Sequence, residues 1–321
     1  MKDILTHPVF LWIVGILAAT GLLLWIASYF VASYLVYVKT LKRRSKEQWS
    51  RDVPDSLPAD SQQMYDVGLK WGRDNAHYKR DVHVVRDGVN LYGEYYDFGN
   101  DRCAMILSGR TEGLRYGYYF AIPYANNGYN VLVVDPRAHG LSDGEYNTVG
   151  FEESLDDIQW IKMLQSDFGI KSVVLHGICI GAAGGVLAMT NPDCPSCVDA
   201  LVAEGMFPNF AESVKNHLIE RHRTPALVHM IDVWKKKFTG HSMKKGPIDV
   251  ISRLDKPLLM LHSRENAYSK PYYAQRLYDL AASKHKRLVW FDHGRHSMLR
   301  ITDTNKYDSQ IAAFLVELSQ K

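Results

Sequence analysis

From Val9 to Val38 the chain runs for 30 consecutive residues without Asp, Glu, Lys, Arg or His. A helix rises about 1.5 Å per residue, so about 20 apolar residues cross the ~30 Å hydrocarbon layer, and this run has length to spare. Hydroxyls interrupt it only at Thr20, Ser28 and Ser33, while Phe10 and Trp12 near one end and Tyr34 and Tyr37 near the other suit the headgroup level. A cleaved signal peptide would carry an apolar region of about 7–15 residues followed by a small-residue site. This run is twice that length and leads straight into a basic cluster. Residues 9–38 are therefore expected to anchor the chain in a lipid bilayer. Lys39, Lys42, Arg43, Arg44, Lys46 and Arg51 follow the run, and only Lys2 and the amino terminus precede it. Because positive charge stays inside, the N-terminus is expected outside and the rest of the chain in the cytoplasm, with the basic cluster near anionic headgroups. A reducing compartment agrees with leaving Cys103, Cys179, Cys194 and Cys197 as thiols.

Beyond the anchor, 46% hydrophobic and 23% charged residues over a 321-residue chain describe an ordinary folded domain. A net charge of +3 excludes a nucleic-acid binder on composition, and four cysteines exclude a dense disulfide framework. The expected organisation is an anchor with its basic flank (1–45), a connector with a short helix (46–80) and one domain (81–321). Strand-like runs recur at Val82–Val85, Val89–Tyr95, Ala104–Ser108, Asn130–Asp135, Ser172–His176, Ala200–Glu204, Leu258–His262 and Arg287–Phe291. Several are continuously apolar, as strands of a parallel sheet covered on both faces must be, and the first two are polar enough for an antiparallel edge. Helical spacing lies between them, clearest in Leu155, Ile158, Ile161, Leu164 and Phe168. The alternation predicts an α/β fold with a mostly parallel sheet. Residues 206–255 break the rhythm with helical fragments around 210–221 and 227–238, an insertion placed to form a lid over the C-terminal edge of the sheet.

The run Ser172–His176 leads into Gly177-Ile178-Cys179-Ile180-Gly181, which reads as Gly-x-nucleophile-x-Gly at a strand-to-helix turn. Such a turn exposes the central side chain at a helix N-terminus, an environment that favours a thiolate. Three further stretches accompany it: Asp135-Pro136-Arg137-Ala138-His139-Gly140-Leu141-Ser142, Ser263-Arg264-Glu265-Asn266 after Leu258–His262, and Asp292-His293-Gly294-Arg295-His296. Together these motifs resemble the α/β-hydrolase superfamily over about residues 80–321. Within it they are similar to the membrane-anchored bacterial hydrolases grouped with serine aminopeptidase-like proteins.

The resemblance implies an α/β-hydrolase fold with Cys179 as nucleophile, His296 as base or imidazolium partner, and the backbone N–H groups of Ile180 and Arg110 as oxyanion hole. Three positions depart from the family pattern. Cys179 replaces the usual serine, Asn266 stands where an acid is expected, and Ser108-Gly109-Arg110 replaces His-Gly-x. A thiol nucleophile tolerates an amide as orienter, as in Cys-His-Asn sites; Glu265 or, alternatively, Glu204 could instead supply the acid. The expected chemistry is acyl transfer from a small-molecule ester or thioester, because amide cleavage demands a fuller triad. A hydrolase scaffold that has lost its chemistry and become a membrane-tethered binding protein is the competing expectation. No cofactor or metal is expected. Cys194-Pro195-Ser196-Cys197 reads as loop cysteines. Arg110, Arg115, Arg137, Arg264 and Arg295 are either solvated or favour an anionic substrate, and Tyr116–Phe120 either packs on the sheet or lines an acyl pocket. An alkaline-phosphatase fusion at the C-terminus is expected to be inactive in intact cells, and an active fusion would overturn the orientation.

Overall fold

The structure, a computed structural model, describes residues 7–54 and 56–320. Eight strands form one sheet in the order β1-β2-β4-β3-β5-β6-β7-β8. They are β1 (Lys79–Arg86), β2 (Val89–Tyr96), β3 (Arg102–Leu107), β4 (Asn130–Val134), β5 (Ser172–Ile178), β6 (Val198–Glu204), β7 (Leu258–Ser263) and β8 (Lys286–Phe291). Only the pairs β1–β2 and β2–β4 are antiparallel. The five strands from β3 to β7 are the continuous apolar runs, and alternate residues feed opposite faces because the side-chain period of a strand is two. Met105, Leu132, Leu175, Leu201 and Met260 enter one core layer, while Ile106, Val131, Val133, Val174 and Leu259 enter the other.

The covering helices are α3 (Leu114–Ala125), α4 (Phe151–Phe168), α5 (Ile180–Met189), α8 (Pro271–Leu280), a short α9 (Leu299–Thr302) and α10 (Thr304–Ser319). Residues 46–80 hold more than a short helix: α2 (Ala59–Asp74) has 16 residues. It lies so close to α3 that a Cβ on Gly68 would sit 2.9 Å from the backbone nitrogen of Tyr119. The insertion after β6 is the helical hairpin α6 (Phe210–Glu220) and α7 (Leu227–Thr239).

Helix α1 (Pro8–Leu41) is long and apolar enough to cross a membrane. Its first half meets no protein, with Trp12 73% and Trp25 66% exposed. Its last turns do. Trp234 Nε1–H donates to Ser33 Oγ at 3.2 Å, Tyr29 O–H donates to the Ala226 carbonyl at 2.7 Å, and the Tyr37 and Phe238 rings stack at 5.7 Å. Tyr37 and Leu41 are fully buried, in one cluster with Ile180, Phe210, Val214 and Leu218. The basic flank is partly turned inward. Arg43 donates to the carbonyls of Gly140 and Ser142 at 2.9 and 3.1 Å, and Arg51 pairs with Asp135 at 2.6 Å. Of that flank, Lys39, Arg44 and Lys46 are exposed.

The end of α1 is therefore core of the α6–α7 insertion, and a boundary at residue 45 cuts through that packing. A fragment starting at Lys46 is expected to expose the lid core, to aggregate on size exclusion and to melt about 10 °C lower than one starting at Ser28.

Candidate active site

Strand β5 ends at Ile178 and α5 begins at Ile180, leaving Cys179 between them with φ +55° and ψ −108°. A non-glycine residue held there stores strain, which persists only where packing over-determines it. The two flanking glycines supply that packing. A Cβ on Gly177 would lie 2.4 Å from the Ala182 nitrogen, and one on Gly181 would lie 2.0 Å from the Leu107 carbonyl oxygen at the end of β3. The turn thus presses onto the central strand and lifts the thiol above the sheet edge. The N–H of Ile180, among those the first helical turn leaves without an intrahelical partner, lies against that thiol.

His296 and Asn266 arrive from the loops after β8 and β7. Asn266 Oδ1 accepts from the backbone N–H groups of Tyr268 (3.1 Å) and Ser269 (2.9 Å), which orients the amide. Its Nδ2 then faces His296 Nδ1 at 2.9 Å, with Oδ1 at 3.2 Å. An amide N–H donating to Nδ1 places the imidazole proton on Nε2, the tautomer opposite to the one a carboxylate partner holds. His296 Nε2 is buried without a hydrogen-bond partner. Gly205, just past β6 with φ +61°, makes room for the ring: a Cβ there would come within 3.2 Å of two imidazole atoms.

The two alternative acids lie elsewhere. Glu265 accepts from the exposed His293 at 3.0 Å and from the Gly294 N–H at 3.2 Å. Glu204 is fully buried, accepting from the Leu299 N–H at 3.1 Å and from the Tyr307 hydroxyl at 2.7 Å. Neither carboxylate is among the hydrogen-bond partners of His296. Arg110 lies in the loop after β3, which His139 ties down by donating from Nε2 to the Arg110 carbonyl at 2.6 Å. Asp135 of the same motif accepts from the Leu114 and Leu141 N–H groups at 2.7 and 3.0 Å, so this motif shapes the loop after β3. Arg115, Arg137, Arg264 and Arg295 pair with Asp52, Asp156, Asp292 and Asp60. Arg110 instead donates to the Thr40 carbonyl near the end of α1, at 3.0 Å. Tyr118 and Tyr119 pack in the core, whereas the Tyr116 hydroxyl donates to the Ser297 carbonyl at 3.0 Å beside the site. Cys194 and Cys197 are free thiols.

Sequence reasoning missed Glu112, whose carboxylate lies against Gly109 beside the thiol; its only sequence signal was its place two residues past Arg110. Burial raises its pKa, with Arg110 opposing. Burial and then Glu112 push the Cys179 thiol up to about 12, against the pull of Arg110 and the Ile180 N–H. Burial takes His296 down to about 3, helped by His262 and Arg110, and it pushes Glu204 up to about 7. Desolvation therefore outweighs the helix N-terminus, and the resting pair is thiol and neutral imidazole.

Cys179 and His296 share a cavity of about 330 Å³. Its walls include Val36 and Thr40 of α1 and Phe210, Val214 and Leu218 of α6, so both helices enclose the site.

No protein-family model matches the chain. It is 28% identical over 217 residues to Uncharacterized protein YqkD of Bacillus subtilis, covering 66% of this chain and 69% of that one. Over 162 residues it is 26% identical to Lysophosphatidylserine lipase ABHD12 of Danio rerio, a match that spans 48% of this chain and only 40% of the relative. Among solved structures, the esterase Pf2001 of Pyrococcus furiosus superposes with a TM-score of 0.65 at 21% identity, covering 83% of this chain and 96% of that chain. The strand order, the strained turn and this likeness define the α/β-hydrolase fold.

Because the thiol sits high, its alkylation by iodoacetamide is expected to keep rising with pH beyond pH 9. A rate already level below pH 7 would reveal a thiolate–imidazolium pair instead.

Proposed function

We propose that this protein is a membrane-anchored hydrolase of acyl esters or thioesters that reacts through Cys179, with its domain on the cytoplasmic side. The observation that carries the reading is the strained, half-buried Cys179 in one cavity with a His296 whose Nε2 is unpartnered and whose ring is held by Asn266. The relatives agree in kind: one is named a lipase and the superposed structure an esterase.

In the first half-reaction Sγ attacks the acyl carbonyl carbon and its proton passes to Nε2. The C–S bond forms, the C–O or C–S bond of the substrate breaks, and the same proton leaves with the alcohol or thiol. For Nε2 to accept, the ring must carry its other proton on Nδ1, where Asn266 Oδ1 at 3.2 Å becomes an acceptor once it releases one of its two backbone N–H donors. Water then attacks the acyl-Cys179 carbonyl, giving one proton to Nε2, which returns it to Sγ as the acid is released. The N–H groups of Ile180 and Arg110 receive the developing oxyanion in both halves.

One observation favours a second reading, a silent binding protein: the hydrogen bonds of Asn266 hold Nε2–H at rest, the tautomer that cannot accept the thiol proton. Intact-mass spectrometry with p-nitrophenyl esters and acyl thioesters separates the two. An acyl adduct confined to Cys179, turning over in the wild type and absent in Cys179→Ala, is expected; no adduct across the panel would favour the silent protein. Asn266→Asp restores a carboxylate acceptor at Nδ1 and is expected to raise turnover by one to three orders of magnitude, within the ~10⁴ that the wrong tautomer costs a serine triad.

A further inference from the structure

The cavity above Cys179 is a trench that follows α6. Phe210, Ser213, Val214, His217, Leu218 and Arg221 line it at spacings of three and four, which is one full face of the helix over about 16 Å. Val36 and Thr40 of α1 line the same cavity. The two helices run in opposite directions. Thr40 holds Arg110 beside Cys179 at the floor, while Tyr29, near the other end of the packed part of α1, bonds the Ala226 carbonyl in the α6–α7 turn. About 20 residues of α1 cross the hydrocarbon layer, so a crossing that begins near Val9 ends close to Ser28. The α6–α7 turn therefore stands at headgroup level, with Arg221, His222 and Arg223 exposed there. The trench leads from the bilayer surface down to the thiol.

A second cleft of about 520 Å³ meets the trench at Thr111, Glu112, His296 and Ser297 and opens on the side away from the lid. Ser50, Ser61 and Thr111 offer it hydroxyls, and its charged walls are the carboxylates Glu47, Asp52 and Glu112. No Lys or Arg lines it among the described residues. Arg115 is paired with Asp52 and Arg110 stands beside Glu112, so the cleft accepts hydrogen bonds from hydroxyl groups, and none of its described lining residues is a Lys or Arg that could hold an anionic head.

We propose that the substrate is a single-chain acyl ester of an uncharged polyol, drawn sideways from the bilayer, with its acyl chain in the trench between α1 and α6 and its polyol head in the cleft beyond His296. This rests on Cys179 as the reacting residue. The scissile ester lies where the two cavities meet. The released polyol leaves to solvent, and the released acid returns along the trench to the membrane. Helix α1 is then at once the tether and a wall of the binding site.

The test uses full-length protein in phosphatidylcholine nanodiscs and reads binding of 1-monooleoylglycerol, by competition with a fluorescent monoacylglycerol, in a Cys179→Ala background. Val36→Trp and Leu218→Trp fill the trench from opposite walls and are each expected to weaken binding about tenfold or more. Leu22→Trp, on the lipid-facing half of α1, is expected to leave it unchanged; thermal midpoints identify any variant that fails to fold. Binding that survives both trench substitutions in folded protein would overturn the proposal, as would oleoyl lysophosphatidate outcompeting monooleoylglycerol. The reading is separable from the hydrolase proposal. Trench-dependent binding without acyl-Cys179 in the wild type would leave this inference standing alone, whereas p-nitrophenyl acetate turnover without monoacylglycerol binding would remove this inference and keep the hydrolase.

Discussion

Everything at the site depends on the contact between the elbow turn and the end of β3. With hydrogen atoms alone at positions 177 and 181, the first turn of α5 rests directly on the Leu107 carbonyl and on its own strand. That contact forces Cys179 into a positive-φ conformation, and the sheet then determines where the other loops arrive. The loops after β3, β7 and β8 emerge at the same carboxyl edge because the strands from β3 to β8 are parallel. Arg110, Asn266 and His296 need no sequence proximity to Cys179, only strands that end together.

The replacement of a carboxylate by Asn266 changes more than charge. A carboxylate has four acceptor sites and can hold two backbone N–H groups and an imidazole N–H at once, whereas an amide oxygen has two. Tyr268 and Ser269 occupy those two, so the amide turns its N–H to the ring. The thiol, the imidazole and the amide are then all neutral at rest, which burial favours. For Nε2 to accept a proton, the ring proton would have to sit on Nδ1, and Asn266 Oδ1, 3.2 Å away, would have to release one of its two backbone donors to receive it.

The end of α1 and the α6–α7 hairpin make one unit. Ser33, Tyr34 and Tyr37 meet α7, and Val36 and Thr40 look into the site, so the last turns of α1 are packed while its first half stays exposed. Tyr34 and Tyr37, readable as aromatics at headgroup level, make helix-packing contacts, as does Ser33. Burial explains the shift: Ser33 and Tyr37 are fully enclosed, whereas Leu23 and Leu24 remain 67% exposed.

The sequence by itself determined the element order, the parallel core, the elbow at Cys179, the lid insertion and a helix long enough for a membrane. Each is written in short-range periodicity or in a motif whose spacing is local. Tertiary structure decided the rest. It brought Asn266 rather than Glu265 or Glu204 to His296, turned Arg43 and Arg51 inward, paired four of the five arginines and placed Glu112 and Gly205 beside the site. It also made the end of α1 a wall of the cavity. Which carboxylate or amide meets an imidazole depends on how loops from separate strands converge and which backbone N–H groups they leave to be satisfied. Whether a side chain meets lipid, water or protein depends on what the fold packs beside it, and neither is encoded in the spacing of residues along the chain.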